Sequence, residues 1–65
     1  MKYIKFNNWE VAKVINIDTE NFTYFLEFIT DAWSFDLDYL NKNCKPANLI
    51  DILKYNLTKI WLINL

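Results

Sequence analysis

The sequence predicts a small α+β domain, with a three-stranded antiparallel meander followed by one short amphipathic helix and a C-terminal strand. Between residues 9 and 40, β-branched and aromatic residues are frequent and part of the stretch alternates apolar with polar positions, as strands do. After Pro46, apolar residues recur at helical spacing. A chain of 65 residues has room for one domain, so residues 1–65 are predicted to fold as a single unit.

The first two strands of the meander are predicted at residues 9–17 and 22–30. Val and Ile crowd the first segment, and their restricted χ1 angles favour a strand, although a short helix capped by Asn8 is an alternative. Asp and Asn side chains predict a turn at residues 18–21. The second strand has apolar side chains on both faces, which indicates a central position or an interface. Tyr3–Phe6 is expected to add an edge strand.

The third strand is predicted at residues 33–40, after a turn at residues 31–32. Its apolar side chains alternate with Ser34, Asp36 and Asp38, so the acids should point away from the core. The sheet is then expected to end at residues 41–43.

The C-terminal third is predicted to hold a helix at residues 46–55 and a closing strand at residues 58–64. Pro46 suits the first turn of a helix because its missing N–H has no partner to lose there, and Asn56 can cap the other end. The segment TKIWLIN is rich in β-formers. The alternative is a helix that continues to Leu65.

The composition argues against an enzyme. The chain has no His, which removes the commonest general base, and no Gly, which removes the usual phosphate-binding loops. Cys44 is the only cysteine, so it can form neither an internal disulfide nor a thiolate metal site. Asp36 and Asp38 are interpreted as a solvated strand face rather than as a catalytic or metal-binding pair. No catalytic residue, cofactor or metal is therefore predicted.

Charge is distributed unevenly along the chain. Residues 1–13 contain three Lys and one acid, residues 14–41 contain six acids and no Lys, and residues 42–65 contain four Lys and one acid. Either the basic ends fold across the acidic middle and the charges pair, or the acids gather on one surface. An acidic surface would speed association with a basic partner and repel nucleic acid.

The predicted binding site lies on the acidic meander, and its expected partner is a protein with a basic surface. Direct nucleic-acid binding is not expected, because the chain has no Arg and a net charge of −1. Trp is enriched at interface hot spots, so Trp33 is the candidate anchor. The predicted partner-binding residues are Glu27, Asp31, Trp33, Asp36 and Asp38.

Several further expectations follow from composition. A hydrophobic fraction of 54% in so short a chain predicts exposed apolar surface, and with it a possible homodimer. The lone cysteine and the lack of a signal-like or membrane-spanning apolar run favour a bacterial cytoplasm and no membrane contact. Seven Lys with no Arg, and nine Asn with no Gly, suit an AT-rich genome such as that of a low-GC bacterium, its phage or a plasmid.

Patterns at residues 11–14, 26–28 and 35–40 (VxxV, LxF and FDLxxL) resemble a family of small uncharacterised bacterial β-meander domains. Those domains often lie beside a toxin-like gene product, so the resemblance implies a meander fold and a protein partner. The turn at residues 31–32 departs from the family's Asp-Gly or Asn-Gly, and the spacing differs. No functional residue is carried over.

In size, acidity and composition the chain also resembles the small phage proteins that block bacterial defence, including anti-CRISPR proteins. We therefore expect a non-enzymatic inhibitor that binds a nucleic-acid-handling defence protein through its acidic, aromatic-bearing sheet face. One alternative is an antitoxin or immunity-type protein that neutralises a co-encoded partner. The other is a homo-oligomeric structural protein that buries both faces of residues 22–30 and its C-terminal tail between subunits.

Overall fold

A five-stranded antiparallel sheet with one helix on each face forms the fold, as a computed structural model shows for residues 2–63 (the side chain of residue 63 excepted). The predicted α+β class is confirmed. The elements in chain order are β1 (Tyr3–Phe6), β2 (Val11–Asp18), β3 (Thr23–Glu27), β4 (Ala32–Asp36), α1 (Leu37–Asn43), β5 (Cys44–Pro46) and α2 (Leu49–Ile63). Across the sheet the strands lie in the order β4-β3-β2-β1-β5.

The predicted meander is present as β2, β3 and β4, each antiparallel to the next. Val14 pairs with Leu26 and Asn16 with Phe25, so Ile15 is an extra residue that makes a bulge in β2. The strand expected at Tyr3–Phe6 is confirmed. It is not an edge strand, however, because β5 pairs with its outer side.

The third strand is shorter than predicted: β4 ends at Asp36 and the chain continues as α1. Leu37 and Leu40 are three residues apart, so a helix turns both toward the same side. Leu40 is buried in the core, and the Leu37 N–H donates to the Phe22 carbonyl at 2.8 Å. The sheet therefore does not end at residues 41–43, which are helical and lead into β5.

The predicted C-terminal strand at residues 58–64 is wrong, since α2 runs without a break from Leu49 to Ile63. The alternative prediction, a helix that continues toward Leu65, is correct as far as Ile63. Residues 64–65 lie outside the described residues. Pro46 lies in edge strand β5, where its missing N–H is tolerated, rather than in a helix. Asn56 lies inside α2 instead of capping it, and its Oδ1 accepts a hydrogen bond from the Tyr3 hydroxyl at 3.4 Å.

The N-terminus of α2 begins at a reciprocal cap. The Asp51 N–H donates to Asn48 Oδ1 at 2.8 Å, and the Asn48 N–H donates to Asp51 Oδ2 at 3.4 Å. Such a box satisfies two N–H groups that have no partner within the helix. The capping residue Asn48 lies two residues after Pro46, and α2 begins at Leu49.

The hydrophobic core lies between α1 and one face of the sheet. Residues paired directly across strands share a face, so Ile4 with Ala12 and Val14 with Leu26 form a continuous layer. Leu26 is the one large side chain that is fully buried among the described residues. The buried cluster consists of Ile4, Phe6, Ala12, Val14, Leu26, Phe28 and Leu40. The opposite face of the sheet, which carries Lys5 and Glu27, receives α2.

Two tight turns place large aromatic residues in the left-handed region of backbone space. Trp9 has φ 75° and Phe22 has φ 51°, where a Cβ costs about 1 kcal/mol or more. Gly would adopt these angles without that cost, but the chain contains no Gly. Both rings project into solvent, and the Lys5 ammonium lies 4.3 Å from the centre of the Trp9 ring.

Candidate partner-binding surfaces

Four of the five predicted binding residues lie along one free edge of the sheet. Asp31 precedes β4, Trp33 and Asp36 belong to it, and Asp38 lies in the first turn of α1. Because β4 is the outermost strand, its outer backbone groups have no strand partner. The five residues of β4 span about 13 Å from Ala32 to Asp36. We call these four residues the β4 edge.

The carboxylates of the β4 edge make no ion pair within residues 2–63. The described ion pairs are Lys5 with Asp51 at 3.2 Å and Lys59 with Glu27 at 2.8 Å. The basic C-terminal helix therefore packs across the sheet, but the described ion pairs neutralise only one acid of the meander, Glu27. The other acids of the meander make no ion pair in the described part of the chain.

Glu27, the fifth predicted residue, is not part of this edge. It lies in β3, on the face covered by α2, and a hydrogen bond from Lys59 lowers the pKa of its carboxyl below the ordinary value of 4.5. Burial alone would lower the pKa of Lys59, but hydrogen bonds to Glu27 and Tyr55 outweigh burial and raise it above 10.5. Glu27 therefore attaches α2 to the sheet.

A Glu27→Gln variant is expected to be slightly less stable at pH 7, by less than about 1 kcal/mol, because the pair is partly exposed and screened by solvent. A carboxyl with a lowered pKa stabilises the fold above pH 4.5 and loses that effect as the pH falls through its folded-state pKa. The variant should therefore lose less stability than the wild type on acidification below pH 4.5. Urea unfolding at pH 7 and pH 3 measures the difference. Glu20→Gln, in the β2–β3 turn, is the control, and an equal response in both variants would contradict the assignment.

Trp33 has the surroundings that an anchor residue needs. Its side chain is 62% exposed, and it borders a shallow depression with Ile15, Phe25, Ala32 and Ser34. Ile15 and Phe25 are themselves exposed. Apolar surface that lies beside unpaired carboxylates provides both a contact to bury and charges to orient a partner.

The β2–β3 turn adds acidic charge near one end of the β4 edge. Asp18 pairs with Thr23, and Thr23 pairs with Asp36, so the two aspartates lie about 10 Å apart across the sheet. Hydrogen bonds from the side chain and backbone of Asn21 lower the pKa of Asp18. The carboxylate of Asp18 is therefore occupied in holding its turn.

The helix α2 presents its apolar side to solvent, which sequence reasoning did not anticipate. Six large side chains on this side are 57–81% exposed. Their spacing of three and four residues can be read from the sequence, but it does not show which side of the helix packs against the sheet. We call them the apolar stripe: Leu49, Ile50, Leu53, Leu57, Ile60 and Trp61.

Polar contacts hold the opposite side of α2 against the sheet. Besides the two ion pairs, the Tyr55 hydroxyl donates to the Glu27 carbonyl at 2.7 Å, and Lys59 Nζ donates to the Phe28 carbonyl at 3.0 Å. Tyr55 is 3% exposed, its ring meets that of Tyr3 edge-on at 5.6 Å, and burial raises the pKa of its hydroxyl. These contacts turn the apolar stripe outward.

The described chain offers no second site with free reactive or metal-binding groups. A cleft between α2 and the β1–β2 turn contains Lys5, but its ammonium is paired with Asp51 and stacked on Trp9. Burial raises the pKa of the Cys44 thiol, which disfavours the reactive thiolate. Within residues 2–63, no three His, Cys, Asp or Glu residues group so that they could hold a metal ion. No described helix is both long and apolar enough to cross a membrane.

Comparison with known proteins identifies no relative. No family model matches the chain, and no curated protein or solved structure is significantly similar to it. Functional inference therefore depends on the surfaces themselves.

Proposed function

We propose that the protein is a non-enzymatic inhibitor that binds another protein through the β4 edge. The observation that carries this proposal is the exposed Trp33, which lies on a free edge strand between carboxylates that make no ion pair within residues 2–63. The partner presents a basic surface with an apolar pocket for the indole ring.

Three contributions support binding at this edge. Burying a Trp ring removes roughly 150–250 Å² from water. The outer N–H and C=O groups of β4 can pair with an extended segment of the partner, as in strand addition. Asp31, Asp36 and Asp38 attract Lys and Arg residues, which raises the association rate. Glu27 is excluded from the contact set, because Lys59 neutralises it.

A nucleic-acid-handling protein is the partner class that suits these charges. Such proteins hold phosphate groups with Lys and Arg, and carboxylates on an edge strand compete for the same groups. A bacterial defence enzyme in the cytoplasm is the target that the likeness to anti-CRISPR proteins implies. The inhibitor then acts stoichiometrically by occupying the phosphate-binding surface.

An Asp36→Lys/Asp38→Lys variant is expected to bind its target about 10- to 100-fold more weakly, because two attractive charges become repulsive. The target is first captured from bacterial lysate with the wild-type protein as bait. Its dissociation constant is then measured by calorimetry for the wild type and the variant, at low and high salt. The variant should also lose most of the salt dependence.

Glu10→Lys is the matched control, because it reverses an exposed charge in the β1–β2 turn, away from β4. It should bind the target as the wild type does. Trp33→Ala should weaken binding at both salt concentrations, since its contribution is apolar. Wild-type affinity of the folded Asp36→Lys/Asp38→Lys variant would refute the role of the β4 edge.

A further inference from the structure

We propose that two copies of this chain associate through α2, with the apolar stripe of one packed antiparallel against the stripe of the other. This inference goes beyond the proposed function, because it assigns a second surface that shares no residue with the β4 edge. The partner is a second copy of the same chain, related by a twofold axis that passes between the two α2 helices at the level of residue 55.

The exposed area of the stripe matches what a stable dimer buries. Its six side chains together expose on the order of 700 Å², whereas the largest apolar patch of a typical monomer is about 300–600 Å². Two stripes in full contact would remove at most about 1,400 Å² from water, which reaches the roughly 1,200–2,000 Å² of stable protein–protein interfaces. A second copy supplies that area with no other partner.

The spacing of the stripe suits helix-to-helix packing. Ile50, Leu53, Leu57 and Ile60 follow one another at intervals of three, four and three residues, which is the seam of a coiled coil. The seam from Ile50 to Ile60 is about 15 Å long, within a helix of about 22 Å. Leu49 and Trp61 widen it at its two ends.

The difference in size between the two ends favours an antiparallel pair. In that orientation Trp61 of one copy lies against Leu49 of the other at both ends, so the helices keep an even separation of about 8–10 Å. A parallel pair would place Trp61 against Trp61 and wedge the helices apart. Antiparallel alignment also sets the two helix dipoles in the favourable sense.

The contacts between α2 and the sheet leave the apolar stripe accessible to a second copy. The sheet contacts the opposite side of the helix through Asp51, Tyr55 and Lys59, so two sheets lie outside the helix pair without collision. Lys54 is the one charged residue of α2 that the ion pairs do not use. The two Lys54 side chains approach near the axis, and each can reach water with its ammonium.

Sedimentation equilibrium between 1 and 100 µM tests the association. The wild type should have twice the 7.9 kDa chain mass, and the dimer should persist or strengthen in high salt, which screens Lys54 and favours apolar contact. Leu53→Lys/Leu57→Lys should be a folded monomer by circular dichroism and sedimentation. Asn41→Lys/Asn7→Lys adds the same charge at exposed sites off the stripe and should remain dimeric.

Two results would overturn the proposal: a wild type that is monomeric at 100 µM, or a Leu53→Lys/Leu57→Lys variant that is still dimeric. A dimer abolished by Trp33→Ala, but not by the stripe variant, would place the contact at the β4 edge and count equally against it. Because the two surfaces are separate, target binding by the stripe variant distinguishes failure here from failure of the inhibitor role.

Cysteine cross-linking tests the orientation. Around an axis near residue 55, residue 53 of one copy lies opposite residue 57 of the other. A mixture of Leu53→Cys and Leu57→Cys proteins should form a disulfide-linked dimer on mild oxidation, whereas each protein alone should do so at least several-fold less. The wild type, with Cys44 alone, measures the background. Equal cross-linking by the single variants would exclude the antiparallel arrangement.

Discussion

Leu26→Ala is expected to lower the free energy of unfolding by about 3 kcal/mol or more, because it removes a fully buried side chain and leaves a cavity in the core. Leu26 lies opposite Val14 on one side and Trp33 on the other, so the centre of the meander depends on it. In a domain of this size such a loss lowers the melting temperature by about 10–25 °C. Urea and thermal unfolding, at one fixed protein concentration, measure both quantities.

Ile17→Ala is the matched control for Leu26. It removes an apolar side chain of similar size from β2, but Ile17 is 46% exposed and leaves no enclosed cavity. Its effect should stay near or below 1 kcal/mol. Similar losses in the free energy of unfolding in the two variants would mean that Leu26 is not at the centre of the core.

Asp51→Ala is expected to cost about 3–5 kcal/mol, because it leaves the ammonium of Lys5 without its partner in a site where that side chain is only 10% exposed. It also breaks the reciprocal cap with Asn48 at the start of α2. Both losses loosen the attachment of α2 to the sheet. Chemical unfolding gives the cost, and hydrogen exchange along α2 shows whether the helix opens first.

A Lys5→Met/Asp51→Ala double variant separates the two causes. It lacks the cap as well, but it contains no unpaired buried charge, so it should recover most of the lost stability. The cost that remains is the contribution of the cap, about 1 kcal/mol. If the double variant were as unstable as Asp51→Ala, the cap and not the ion pair would hold α2 in place.

Strands β1, β2 and β3 could be predicted because their signals are local, whereas β5 was not predicted. Val11, Val14, Ile15 and Ile17 have restricted side-chain rotamers, and residues 18–21 form their own hydrogen-bonded turn. Neither feature depends on the rest of the chain. The bulge at Ile15 was not predicted, because it arises from the register between β2 and β3.

The helices were harder to predict because their patterns fit two structures. In FDLDYL the apolar residues alternate as in a strand, yet Leu37 and Leu40 also fit one side of a helix, and burial of Leu40 against the sheet decides for the helix. Residues 58–63 favour strands locally. Contacts from Lys59 and Tyr55 to the sheet override that preference.

For the candidate sites, the sequence shows where the acids lie along the chain, but not which distant residues contact them in the fold. Asp31, Trp33, Asp36 and Asp38 are close in sequence, so their placement along one edge follows from local structure. The neutralisation of Glu27 depends on Lys59, which is 32 residues away along the chain. The outward stripe of α2 likewise depends on which of its sides makes hydrogen bonds to the sheet.

The two borders of the sheet differ, and the difference limits how molecules can polymerise. β4 has five residues without a proline, whereas β5 has three residues and ends at Pro46, which has no N–H to donate. A fibre that grows by pairing the β4 of one molecule with the β5 of the next would need both edge strands to accept a partner strand. In this sheet only β4 is such an edge strand, so pairing with a neighbour's strand ends the assembly instead of extending it.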